Sequence, residues 1–198
     1  GVLAERDPET VKSLHTRGHE IVNHSWGMDV IPVYFDEAQE RENIRKNDEI
    51  LTRVAGVKPK GWISPRGTGS LISPRLLAEA GYIHHGDCND DDRPYVMDYQ
   101  GKRIVAIPLT MDVNDLPTCI RYGHGPRHML DAFHDTFTAM RERETVPLML
   151  DVTAHTHVMG RPSGAWVYDE IMAIVAQHPD VWVTTRQEMA EYVLKETA

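Results

Sequence analysis

The stretch Ala154-His155-Thr156-His157-Val158-Met159-Gly160-Arg161-Pro162 follows an apolar run, Pro147-Leu-Met-Leu-Asp-Val-Thr153. That pattern places two imidazoles where a buried strand ends and a loop begins. Parallel β/α sheets and barrels carry chemistry at such strand ends, because the strand is rigid and the loop is free to vary. On an extended backbone, residues two apart share a face, so His155 and His157 point the same way. Gly160-Arg161-Pro162 then turns the chain toward the next helix, with Arg161 read as a structural tie. A second stretch, Gly18-His19-Glu20-Ile21-Val22-Asn23-His24-Ser25-Trp26, repeats the design of helix, short apolar strand and terminal histidine. His19 and His24 are five apart and fall on opposite faces of a strand, so they do not serve one ligand, and His19 reads as structural.

The alternation continues outward from these two stretches. Asp7 and Pro8 have the chemistry of an N-cap and first helical residue, so a helix runs from Pro8 to Arg17 and stops at Gly18. A short strand spans Glu20 to His24. Asp36 caps a long charged helix ending near Gly56, with Ile44, Leu51 and Val54 inward. Strands are expected at Gly61–Pro65, Tyr82–Cys88, Arg103–Leu109, Pro147–His155 and Val181–Thr184. Helices are expected from Ser73 to Gly81, Pro126 to Glu142, Ala165 to Gln177, and after a cap at Thr184 or Thr185. Thr110 to Gly125 reads as loop. Strand-helix alternation of this kind is the mark of a parallel α/β fold.

The 198 residues fit one domain, and 41% hydrophobic with 26% charged residues is ordinary globular composition. A net charge of −9 argues against a nucleic-acid partner, since a polyanion is repelled. No apolar run approaches the ~20 residues of a bilayer span, so no membrane partner is expected. Cys88 and Cys119 are too few and too far apart for a thiolate cluster or disulfide framework, which leans toward the cytoplasm. The chain enters a helix at once, with neither initiator Met nor signal pattern. It therefore reads as a fragment whose first strand lies upstream.

Ser64-Pro65-Arg66-Gly67-Thr68-Gly69 places a guanidinium at a strand end, where Arg66 suits bidentate pairing with a carboxylate or a surface ion pair. Asp87, Asp90, Asp91 and Asp92 form an acidic loop, solvated or else beside an imidazole or Arg66. Met28, four residues after His24, is a poor ligand for a hard or borderline cation.

These segments together resemble the polysaccharide deacetylase family, in the branch that also holds metal-independent allantoinases and some peptidoglycan deacetylases. The resemblance rests on GHEIVNHSW at 18–26, GWISPRG at 61–67, LLAEAGYIHHGDCNDDDRPY at 76–95, DVTAHTHVMGRP at 151–162 and VWVTTRQEMAEYV at 181–193. It implies a distorted, incomplete (β/α) barrel lacking its first strand in this chain, and hydrolysis of a non-peptide carbon–nitrogen bond. The implied substrate is an N-acetylated sugar or polysaccharide. The alternatives are an allantoinase-like cyclic amidohydrolase or an inactive carbohydrate-binding relic. His155 matches the late histidine that protonates the leaving amine, and Arg66 falls in the arginine- and proline-containing motif. The resemblance casts His24 as a metal ligand, with Met28 where the second imidazole stands. His157, Asp90 and Trp26 are cast as substrate-binding. The paired aspartates of the family lie upstream of Gly1, so a divalent metal such as zinc is expected in a complete parent and weakly or not at all here. His24, Arg66, an aspartate of the 87–92 loop and His155 are expected to converge at the strand ends. The chain alone is expected to be marginally stable and inactive. The implied partner is a glycan or other small molecule, with self-association left open.

Overall fold

The computed structural model describes residues 1–198, in which Asp7 ends one helix and caps the next by accepting the Thr10 N–H on a carboxylate oxygen. In chain order the elements are α1 (Val2–Arg6), α2 (Pro8–Thr16), α3 (Glu37–Ala55), β1 (Gly61–Trp62), α4 (Ser73–Glu79), β2 (His84–His85), β3 (Tyr95–Tyr99), β4 (Lys102–Ala106), α5 (Pro126–Arg143), α6 (Ala165–Val175) and α7 (Arg186–Glu196). They belong to two compact units. The first comprises Gly1–Cys88, Pro94–Pro108 and Thr184–Ala198; the second comprises Asn89–Arg93 and Leu109–Val183.

The first unit is built on a sheet of order β1-β2-β4-β3. β1, β2 and β4 are parallel, in the register Gly61↔His84 and His84↔Val105. β3 pairs antiparallel with β4 across a tight turn in which Gln100 and Gly101 both take positive φ. That hairpin corrects the expectation of a wholly parallel sheet. The 94–102 stretch lacks a run of core-type residues, so its strand did not stand out from the acidic loop before it. The expected strand at Glu20–His24 contracts to one parallel bridge, Asn23↔Trp62. Asn23 exchanges backbone bonds with Gly61 and Ile63, and Ser25 at φ 62° then breaks the extension. Trp62, Leu76, Leu77, Tyr82 and Ile104 are buried together with Ile44 of α3. Ala4, Val11, Ile50 and Leu51 form a second cluster between the first helices and α3. The α3 boundaries match the sequence reading, because Asp36 and Gln39 form a capping box and Gly56 closes the helix at φ 81°.

In the second unit α5 and α6 pack through Met129, Leu130, Phe133, Val167 and Ile171. The expected strand at Pro147–His155 is an extended segment with scattered partners. Its N–H groups bond Asp92 O, Thr110 Oγ1 and Val113 O, and only Thr153 forms a bridge, with Asn114. Residues 116–121, read as loop, coil into a wide helical turn. Val181–Thr184 is not a strand either. Val181 N–H closes a turn on His178 O, and Trp182 and Val183 are exposed, so their apolar pattern is not a core pattern.

Candidate active site

His155 stands where its extended segment turns back on itself, with Val158, Met159 and Gly160 N–H groups all directed at its carbonyl. Its imidazole Nδ1 lies 2.6 Å from Asp115 Oδ1, and its backbone N–H donates to Asp115 Oδ2 at 2.7 Å. Met159 N–H reaches the same Oδ2 at 3.2 Å. Asp115 is fully buried, whereas the His155 side chain keeps 33% of its surface exposed. A carboxylate only accepts, so Nδ1 carries the proton and Nε2 is the nitrogen left to exchange protons. The pair is a proton-handling imidazole oriented by a buried carboxylate. The His157 ring meets His155 edge-on at 5.7 Å between centroids and is exposed. Sequence reading passed over Asp115 as one of several polar loop residues. The signal available was Asn114-Asp115-Leu116-Pro117, an acid next to apolar residues rather than in an acidic run.

The first unit carries most of the other residues singled out in the sequence. His24 is exposed, and its Nδ1 lies 2.5 Å from Ile63 O, which fixes the ring. Its charge is felt at Asp87. Asp87 receives the Ser64 N–H and hydroxyl, both at 2.6 Å, and the Trp62 indole N–H in turn donates to Ser64 Oγ. Burial pushes the Asp87 carboxyl above the ordinary 3.8, opposed by the Ser64 bonds and by His24. Of the acidic loop, Asp87 is thus the member tied to other site residues of the first unit. Asp90 is exposed and belongs to the second unit. Arg66 is exposed and sits at φ 60°, a left-handed conformation that side chains rarely adopt. Trp26 packs on the cluster of Ala4 and Ile50, with Lys46 Nζ 3.5 Å from its ring centre.

The raised Asp87 value gives a stability slope with a definite sign. An acid whose folded value exceeds its unfolded value stabilises fully below the unfolded value, and that contribution is lost as pH rises through the folded one. Thermal unfolding measured against pH is expected to show wild type losing stability relative to Asp87→Asn from pH 3.8 upward, until the raised value is passed. A difference independent of pH, or rising with it, counts against the assigned environment.

The divalent ion implied by the resemblance does not fit the donors present. No group of three or more His, Cys, Asp or Glu side chains is placed to hold an ion. Met28 offers an exposed thioether where a second imidazole is needed, and both Asp87 oxygens accept from Ser64. No helix is long and apolar enough to cross a membrane.

The polysaccharide deacetylase family model matches residues 1–84. A peptidoglycan deacetylase of Helicobacter pylori is 23% identical over 98% of this chain and 77% of its own length. The Puue allantoinase structure is 30% identical, with a TM-score of 0.85 over 95% of this chain. A structure named "probable Polysaccharide deacetylase", from Pseudomonas aeruginosa PAO1, is also 30% identical, with a TM-score of 0.88 over 98% of this chain. This chain spans 63% and 65% of those two chains, a little under two thirds. The fold, the motif order and these likenesses agree in making the chain similar to polysaccharide deacetylases, with the family model matching its first 84 residues.

Proposed function

We propose that this chain is the catalytic region of an amide hydrolase that removes the acetyl group from an N-acetylated sugar or polysaccharide. The His155–Asp115 pair carries the reading, because it supplies an oriented imidazole with a free-facing Nε2. Water adds to the acetamide carbonyl and yields a proton to bulk solvent, and the tetrahedral carbon then releases the amine as the C–N bond breaks. The protonated His155 gives its Nε2 proton to that amine nitrogen, so acetate and a free amino sugar leave. Asp115 holds the ring and stabilises its charged form. Arg66 pairs with a carboxylate, His24 binds water or substrate, and His157, Asp90 and Trp26 contact the sugar. The Helicobacter relative is named a peptidoglycan deacetylase, which supports a glycan substrate.

Met28 favours a second reading, cyclic amide hydrolysis as in allantoinase, where a site short of one imidazole ligand still has an acid for the leaving nitrogen. The test is acetate release from N-acetylated chito-oligosaccharides beside ring opening of allantoin, for wild type and His155→Ala. Acetate release abolished by His155→Ala supports deacetylation. Ring opening alone replaces it with the second reading. Turnover that survives His155→Ala refutes the assigned acid.

A further inference from the structure

Helix α3 has a buried face that is polar for half its length. Glu40, Asn43 and Asn47 are at 1%, 7% and 0% exposure, while Ile44, Ile50 and Leu51 of the same helix fill apolar clusters. Burying a carboxylate and two amides costs free energy that Leu or Ile would not, and each bond made there has to offset it. Every side-chain bond from this stripe to another segment goes either to the Ser25 turn or to Ser70 and Ser73, where a loop enters α4.

Asn47 Nδ2 donates to the Asn43 carbonyl at 2.7 Å and to Asn43 Oδ1 at 3.0 Å. That fixes the Asn43 amide so that its Nδ2 donates to Ser25 Oγ at 2.9 Å, and the Ser25 hydroxyl is directed at Val30 O. Ser25 is held at φ 62°, and its N–H donates to Asn23 Oδ1. Asn23 Nδ2 donates in turn to the Tyr82 hydroxyl at 2.7 Å. His24 lies between these two locked residues. An exposed imidazole is thus carried on a backbone whose strain is over-determined by buried bonds, the arrangement seen where geometry rather than stability is at stake.

Glu40, one turn earlier, serves the other loop. Ser70 Oγ donates to Glu40 Oε2 at 2.7 Å, and Ser73 Oγ donates to Glu40 Oε1. The same serines cross-link their own loop, Ser70 N–H to Ser73 Oγ and Ser73 N–H to Ser70 Oγ. This closes the segment that begins with Arg66, itself at positive φ, and continues through Thr68, whose carbonyl takes the Val33 N–H.

We propose that the Glu40–Asn43–Asn47 stripe is a positioning device with two separate staples, one for the His24 turn and one for the Arg66 loop. This rests on the reading that His24 and Arg66 serve the hydrolytic site. None of the three stripe residues touches substrate; they act through the loops they hold. A merely structural stripe loosens both loops together when cut, whereas two staples act separately.

The test follows the His24 ring Cε1–Hε1 and Arg66 Nε–Hε signals by NMR in the full chain, with chito-oligosaccharide turnover alongside. Asn43→Ala is expected to shift or split the His24 signal and leave Arg66 in place. Glu40→Ala is expected to do the reverse, and Glu40→Gln, which keeps one acceptor, to restore much of the Arg66 signal. Glu42→Gln, on the exposed face, serves as the folded control. Turnover is expected to fall by about 10- to 100-fold in each alanine variant, the scale of a misplacement near 1 Å. Signals that move together, or do not move, overturn the proposal. If wild type has no turnover on the sugar, the proposed activity fails, and the crossed NMR pattern alone judges the stripe. Should Asn43→Ala fail to fold, Ser25→Ala cuts the same staple from its other end and takes its place.

Discussion

Asp115→Asn is expected to cut acetate release by about 10³- to 10⁴-fold with little loss of stability, the scale seen when an imidazole-orienting carboxylate becomes an amide. The retained oxygen still accepts from the His155 and Met159 N–H groups, which share Oδ2 in wild type. The new NH₂ faces Nδ1 and donates to it, so the ring proton moves to Nε2 and the charged ring loses its counterion. Asp115→Ala differs in kind. It leaves two backbone N–H groups and the ring without their acceptor, at about 1–3 kcal/mol for each buried orphan. Chemical unfolding with the acetate assay separates the two variants: Asn falls in turnover alone, Ala in both. Near-wild-type turnover in Asp115→Asn means that His155 works without its carboxylate.

The second large effect is steric. A Cβ at Gly61 lies 2.0 Å from His84 Cε1 and 2.1 Å from Nε2. His84 cannot yield, because it is fully buried and its Nε2 is 2.7 Å from Glu20 Oε1. Glu20 is itself fixed, accepting the Gln187 N–H at the start of α7. Gly61→Ala must therefore displace the ring, break the pair or part β1 from β2. The expected cost is about 3 kcal/mol, at the upper end for overpacking a core and with a buried hydrogen-bonded pair disturbed. Thermal unfolding of Gly61→Ala beside Gly69→Ala checks it. At Gly69 the nearest atom is a single Asp87 oxygen at 2.7 Å, so the smaller loss is expected there. An unfolding midpoint unchanged in Gly61→Ala means that the ring has room to move.

Elements with strong local chemistry were legible in the sequence. The Asp7, Asp36 and Thr185 caps and the 3–4 spacing of Leu130 and Phe133 mark helices from nearby residues alone, and the helices lie where those signals put them. Strands were less so, because pairing is settled by a distant partner. Val181-Trp182-Val183 has the composition of a strand and is not one, while Tyr95–Tyr99 has a modest pattern and gains its partner from a two-residue turn. The fold shared with polysaccharide deacetylase structures was readable from motif order. Asp115 was not, since only the return of residues 153–159 onto 113–115 turns a loop acid into a ring-holding one. Nor were the roles of Glu40 and Asn43, which in a charged helix look like any other solvated face.

The first unit is discontinuous in sequence, and α7 is its last piece. Arg186 Nη1 donates to Ile107 O, Gln187 N–H to Glu20, and Arg103 reaches the Leu194 and Thr197 carbonyls. The ribosome therefore finishes the second unit before it has made the segment that completes the first. Residues 1–108 leave the exit tunnel with the α7 face of their sheet bare, and remain so while the next 75 residues are synthesised. A nascent chain stalled before Thr184 lacks part of the first unit, although the other segments of that unit are already made.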